Sequence, residues 1–318
     1  MLTLSGVNTT SNCRRQPLWI APAGTLASGQ AGPVGEVVQE MRKRGGVATW
    51  SELKTSLTRD QLDEALTSGR LNRIRRNLYV LADIREVRRV AIAAGGVASH
   101  LTAAQHWGWK VKDPPARPCI TLARGSRTPV GDLELHWQDL TPAEIAGHVT
   151  RRVPTVIACA RAYDEAAALC VADSALREGQ VTREQLLAAA RRSPRTGRAR
   201  AISVVQLADG RAANPFESVL RWLCASVVGL HAVPQSEVDG VGRVDLFDAR
   251  LGIVIEAESF EFHGSLDAFR RDVRRYTECA RRGLVVVRFT WQEVMYQPNY
   301  VRATLADVVR QRSRLVSA

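Results

Sequence analysis

None of the six cysteines forms a Cys-x-x-Cys pair, so the spacing that marks common structural zinc sites is missing. Cys13, Cys119, Cys159, Cys170, Cys224 and Cys279 stand singly, a usage that fits a reducing cytoplasm rather than a disulfide framework. No apolar run approaches ~18 residues, which excludes a transmembrane helix from the reading. No basic amphipathic stretch with an aromatic face stands out, which argues against a membrane surface as partner. What the chain has in excess is arginine. Its 44 Lys and Arg are overwhelmingly Arg and stand against 32 Asp and Glu, a formal charge of +12. A planar guanidinium suits bidentate phosphate contact, so nucleic acid heads the expected partners. A genome that encodes arginine cheaply would account for part of the same excess. At 318 residues and 45% hydrophobic content, the chain has room for two or three domains with cores of their own.

Residues 1–33 mix Thr, Ser, Asn, Gly and Pro without periodicity and read as a disordered tail. Residues 34–83 read as a winged helix–turn–helix. A first helix carries Val37, Val38 and Met41 and stops at Gly45-Gly46. Thr49–Glu52 and Thr58–Gln61 are capping boxes that open two more helices, and Gly69 ends the third. A basic hairpin follows, with Arg70, Arg73, Arg75 and Arg76 as candidate phosphate contacts and Asn77 at a position that wants a left-handed residue. Asp60, Asp63 and Glu64 line the exposed side of the third helix, and their charge opposes DNA.

Residues 84–150 are a small mixed α/β segment. Ser99 is a plausible cap for a helix, and Cys119–Leu122 and Leu133–Trp137 are candidate strands. His100 and His106 offer ligand nitrogens but sit near Trp107 and Trp109, where a packed histidine is the ordinary outcome. Residues 151–212 are helical, with a capping box at Thr182–Gln185. Five arginines in Arg191–Arg200, mixed with Pro194 and Gly197, read either as a flexible basic linker along phosphates or as a solvated loop.

Residues 213–318 carry the chemistry. Val244–Asp248 and Ile253–Phe260 are strand-forming runs around the four-residue gap Ala249–Gly252, a hairpin. Symmetric pairing sets Asp245 opposite Glu256 and Arg243 opposite Glu258. One face then holds Val244, Leu246, Ile253, Ile255 and Ala257, and the other holds Arg243, Asp245, Glu256 and Glu258 with Phe247 and Val254. Opposed carboxylates repel and need compensation, for which a hard divalent cation suits. A solvated charged face is the plainer alternative. A helix over Leu266–Arg282 follows, crowded with Arg270, Arg271, Arg274 and Arg275, which leaves Phe269, Val273 and Tyr276 to pack. Asn214-Pro215-Phe216-Glu217 is a helix start, with Glu217 in a capping role.

The Asp of one strand, the Glu-x-x of the next, the basic helix and then Gly283–Trp291 resemble the PD-(D/E)XK nuclease superfamily, and within it domains related to very short patch repair endonucleases. The resemblance covers roughly the last third of the chain. It implies a mixed sheet flanked by helices, giving an α/β (α+β) class overall, and Mg²⁺- or Mn²⁺-dependent endonuclease chemistry on double-stranded DNA. Asp245 and Glu256 would then hold the metal, Glu258 would be a third ligand or orient water, and Glu217 would face the metal from the preceding helix. His263 would be a general base or a support for the phosphate. The family's Lys position is Glu258 here and the Gly expected next is Ser259, so Arg243 or His263 would have to supply the positive charge. Residues 34–83 are similar to the N-terminal winged helix of AbiEi-type antitoxins. That resemblance implies the other reading, an antitoxin or transcriptional regulator with a catalytically inert nuclease fold and a cognate toxin protein as partner.

Overall fold

The computed structural model describes residues 33–258 and 266–316, with the side chains of the second stretch described from Arg270 onward. The proposed tail 1–33 lies almost wholly outside the described residues, as do Cys13, Ser259 and His263. The class is mixed α/β. The chain divides into two compact units, 1–95 and 96–318.

In the first unit α1 (Pro33–Lys43) leads to β1 (Val47–Thr49), α2 (Trp50–Leu53), α3 (Arg59–Thr67), β2 (Leu71–Arg75), β3 (Leu78–Leu81) and α4 (Glu86–Ala94). The strands form an antiparallel sheet in the order β1-β3-β2. Both capping boxes form at Thr49 and Thr58, which fixes where α2 and α3 begin. Asn77 adopts a left-handed φ of 63° between β2 and β3, and its Oδ1 accepts the Trp50 N–H at 3.1 Å. That one side chain serves the turn and an orphan donor of α2 together. Val37, Met41, Leu53, Leu62, Leu71 and Tyr79 form the core beneath the helices. Residues 84–95, grouped by sequence with the following segment, fall on this side of the division.

The second unit opens with β4 (Val97–Ala98), α5 (His100–His106), β5 (Cys119–Leu122), β6 (Glu134–Trp137), a 3-10 turn at Pro142–Glu144, β7 (Ile145–Ala146) and β8 (Val149–Thr150). These strands make a five-stranded sheet in the order β6-β5-β4-β8-β7. Ser99 holds the cap position of α5 but makes no capping bond, because its Oγ bonds the His100 ring and accepts from Thr121 Oγ1 instead.

Four helices follow: α6 (Arg152–Ala162), α7 (Glu165–Arg177), α8 (Arg183–Arg192) and α9 (Arg198–Leu207). The stretch 191–200, read as a flexible basic linker or a solvated loop, is the end of α8, a short turn over 193–197 and the start of α9. Ser193 is buried, the Arg161 guanidinium donates to Thr196 O at 2.9 and 3.0 Å, and Arg198 Nε donates to Ser193 O at 2.7 Å. Gly197, at φ 76°, lies so close to Arg161 that an added Cβ would meet its carbonyl at 2.9 Å. Arg198 and Arg200 bond backbone carbonyls, and all five arginines of the stretch remain exposed.

Last come α10 (Pro215–Ala225), β9 (Val233–Val238), β10 (Gly242–Asp248), β11 (Ile253–Glu258), α11 (Leu266–Arg281), β12 (Val285–Thr290), α12 (Trp291–Tyr296) and α13 (Pro298–Val316). The sheet order is β12-β11-β10-β9, antiparallel except that β12 runs parallel to β11. One face packs Leu246, Ile253, Ile255, Val287 and Phe289 against α10 and α13 through Phe216, Leu220, Val301 and Leu305. The other packs Val254, Phe247 and Val286 with Cys279 of α11. Ala166 and Cys170 of α7 join the first of these cores, and the Trp222 ring packs against both it and the helical core. The segments 84–150, 151–212 and 213–318 thus share packing from Gly96 onward.

Candidate active site

The hairpin ladder has the register expected from symmetry: Asp248 faces Ile253, Phe247 faces Val254 and Leu246 faces Ile255. Past Leu246 the pattern changes. The Ala257 N–H donates to the Asp245 carboxylate at 2.9 Å, so a side chain continues the ladder. Val244 accordingly departs from its expected face and packs with Val238, Val254 and Cys279. Arg243 is set beside Glu237 of β9, and its carbonyl accepts from Arg275 at 3.0 Å.

Two acids from neighbouring elements, Glu217 of α10 and Glu256 of β11, meet Asp245 of β10. Glu217, in the first turn of α10, accepts the Ala213 N–H and the Asn214 amide, each at 2.9 Å. Its Oε2 also accepts the Gln235 amide at 2.9 Å, and the same amide nitrogen lies 3.4 Å from Asp245 Oδ1. Asn214 caps α10 by accepting the Glu217 N–H at 3.0 Å, while the Glu217 carboxylate bonds the N–H of Ala213 rather than that of the cap residue and also faces the site. Burial raises its pKa, and the Asp245 charge adds to the rise. Glu256, on β11, is only 5% exposed. Burial and the neighbouring Asp245 push its pKa up to about 8, although the Arg275 guanidinium contacts it and pulls the other way. An ion pair alone would argue for a fully charged Glu256. Burial wins here because Arg275 supplies one partner, while desolvation and the second carboxylate both favour the proton.

Glu258 goes elsewhere. Its carboxylate accepts from Arg288 Nε at 2.8 Å and from the Tyr276 hydroxyl at 3.0 Å, with the Arg288 guanidinium 4.4 Å from the Tyr276 ring centre. The metal triad expected from Asp245, Glu256 and Glu258 is thus corrected in its third member: Glu217 is the acid that joins the first two. The physical reason is the parallel pairing of β12, which brings an arginine one strand away from Glu258. Even the corrected set is loosened by Gln235 and Arg275. Among the described residues, the three-donor group with all ligand atoms within 4.8 Å is Cys119, Glu134 and His136.

On α11, Arg270, Arg271 and Arg274 are exposed, while Arg275 turns inward to Glu256. Val273, expected to pack, is 48% exposed. Arg275 shares the inward side of α11 with the half-buried Tyr276 and the buried Cys279, whereas Val273 lies off that side. His263 lies outside the described residues. In the first unit Arg73, Arg75 and Arg76 are exposed and Arg70 is half-buried, whereas Asp60, Asp63 and Glu64 all face solvent on α3. Arg59 and Asp63 are ion-paired at 3.6 Å.

Gln235, the inward role of Arg275, Arg288 and the pair Asp173–Arg221 carry no local sequence signal, because their partners are set by contacts distant along the chain. Asp248 reads from sequence only as a strand end. It is fully buried and accepts the N–H groups of His231 at 2.7 Å and Leu251 at 2.9 Å. Its identity at the start of a turn, with Leu251 three residues on, is a local signal that marks it.

No family model matches the chain, and no curated protein matches it. Among solved structures, a crystal structure of RV2827C protein from Mycobacterium tuberculosis is similar at 15% identity. The match covers 64% of this chain and 84% of that one, with a TM-score of 0.31, too low to bear on function. No helix among the described residues is long and apolar enough to cross a membrane.

Proposed function

We propose that this protein binds double-stranded DNA and that Glu217, Asp245 and Glu256 form a divalent-cation site for phosphodiester hydrolysis. The observation that carries the proposal is the packing of the buried Glu256 against Asp245 with Glu217 alongside. Such crowding raises the carboxyl pKa, and a bound cation would relieve it by adding positive charge beyond that of Arg275. The donor set is all carboxylate oxygen, which suits Mg²⁺ or Mn²⁺. Such an ion, when bound, supplies Lewis acidity and a more acidic water. The mixed four-stranded sheet flanked by helices supports the same reading.

Arg275 takes the positive role that the family resemblance gives to Arg243 or His263. Held at Glu256 before substrate arrives, it sits where a phosphate oxygen would share its charge. Arg270, Arg271 and Arg274 extend that charge along the outer side of α11 and would follow the backbone of DNA. Incubating the full chain with supercoiled plasmid and Mg²⁺ or Mn²⁺ tests the activity. Nicked or linear product that disappears with chelator supports it, and intact plasmid under both metals counts against it.

The antitoxin or regulator reading draws support from one observation, the three exposed arginines of the β2–β3 wing. Both readings need these to hold phosphates. Replacing Arg73, Arg75 and Arg76 together by Ala is expected to weaken binding to unrelated duplexes alike. The slope of log affinity against log salt should fall by about 0.9 for each phosphate that is no longer neutralised. An unchanged slope measured by anisotropy would remove the wing from the interface.

A further inference from the structure

The parallel pairing of β5 with β6 sets Cys119 beside Glu134 and Thr121 beside His136. Side chains two apart on a strand share a face, so Glu134 and His136 both point toward the side on which Cys119 lies. The result is a compact group. Cys119 Sγ, a Glu134 carboxylate oxygen and a His136 ring nitrogen all lie within 4.8 Å of one another. Metal bonds of ~2.0–2.3 Å would place tetrahedral ligands within ~4 Å of each other, so small side-chain rotations close the set.

The surroundings are built to hold these groups. The His100 ring stacks on His136 with centroids 3.5 Å apart and planes 18° from parallel. Ser99 Oγ lies 2.8 Å from His100 Nδ1 and in turn accepts from Thr121 Oγ1 at 2.8 Å, which fixes the His100 ring. Tyr163 donates its hydroxyl to Glu134 Oε1 at 2.8 Å and lies 3.6 Å from Cys119 Sγ. His100 keeps this place at a left-handed φ of 50°, a backbone conformation that non-glycine residues rarely adopt. Cys119 is fully buried, whereas the Glu134 and His136 side chains retain 32% and 24% of their exposure, so the group opens on one side.

We propose that Cys119, Glu134 and His136 bind a Zn²⁺-class cation, with water completing the fourth position. A mixed sulfur, nitrogen and oxygen donor set selects a borderline-soft metal and is poorly matched to Mg²⁺. Binding converts the Cys119 thiol to thiolate and releases its proton to solvent, with no change of oxidation state. Tyr163 and His100 are positioning residues, orienting the Glu134 carboxylate and the His136 ring. A cysteine nucleophile with a His–Glu pair would use the same residues, but a fully buried sulfur cannot meet a substrate. The site is separate from the carboxylate group around Asp245 and stands whether or not that group is active.

The test is a titration of the chelator-stripped full-length protein with Co²⁺, followed by competition with Zn²⁺. The expected result is a thiolate-to-cobalt charge-transfer band that saturates near about one equivalent and is erased by Zn²⁺. Cys119→Ser removes the band, and Glu134→Gln and His136→Asn weaken Co²⁺ binding by at least about a hundredfold. Cys170→Ser, at a buried thiol in another core, and Glu256→Gln both leave the band unchanged. If Cys119→Ser does not fold, His136→Asn decides the matter, because its ring is partly exposed and circular dichroism reports whether the variant is native. No charge-transfer band in the wild-type protein, or a His136→Asn band that saturates at the same Co²⁺ concentration as wild type, overturns the proposal.

Discussion

Replacing Glu256 with Gln is expected to lower metal-dependent DNA cleavage by at least about a hundredfold, the loss of a few kcal/mol of charge stabilisation. The same change should make the folded protein more stable in alkaline buffer. Glu256 has a folded pKa near 8 against an ordinary value of 4.5, raised first by burial and then by Asp245. Protons bound to this carboxyl therefore favour the folded state. That contribution is fully present below about pH 4.5 and is lost as pH rises through about 8. Wild type should weaken across this window by an amount on the order of a few kcal/mol, and Glu256→Gln should not. Denaturant unfolding at intervals between pH 5 and 9 measures the difference, with pH values set by the same ionisation. Parallel curves for the two proteins would show that the carboxyl is not held under electrostatic stress. A residue whose removal stabilises the fold and destroys activity is what a functional carboxylate should look like.

The second large effect concerns stability alone. Asp173→Ala should cost about 3–5 kcal/mol, lowering the melting temperature by roughly 10 °C. Asp173 is fully buried on α7, where its carboxylate accepts from Arg221 at 2.6 Å and from the Asp209 N–H at 2.7 Å. Arg221, only 6% exposed on α10, also donates to Leu207 O, and its buried Nε has no partner. Desolvation raises the Asp173 pKa even with Arg221 beside it, so the pair holds its charges at a cost. Removing one partner leaves the other guanidinium or carboxylate buried without compensation, which is worse than never burying the pair. The double change Asp173→Leu with Arg221→Met should recover most of the loss. A single-variant cost under about 1 kcal/mol would show that water or a shift of α10 already compensates the arginine.

Glu256 and Asp173 also mark how far sequence alone reaches. Signals carried within a few residues are legible: the capping boxes at Thr49, Thr58 and Thr182 all form, and Asn77 takes the left-handed turn. The hairpin register around Ala249–Gly252 is legible because a short turn leaves the strands one way to pair. What depends on distant partners is not. Strand alternation places Glu258 with Asp245 and Glu256, but β12 arrives beside it with Arg288. Apolar spacing turns Val273 of α11 inward, yet it is exposed, and the side that meets the sheet carries Arg275 and Cys279 instead. Cys119 and Glu134 lie too far apart in sequence for spacing to suggest a shared site, and only the parallel β5–β6 pairing unites them.

Cleavage assayed with one acid changed at a time tests the central claim most directly. Supercoiled plasmid and Mn²⁺ are incubated with wild type, Asp245→Asn, Glu217→Gln and Glu258→Gln, each checked for native circular dichroism. The account predicts nicking by wild type, its loss in Asp245→Asn and Glu217→Gln, and its persistence in Glu258→Gln. Equal product from wild type and Asp245→Asn, or loss confined to Glu258→Gln, would contradict it.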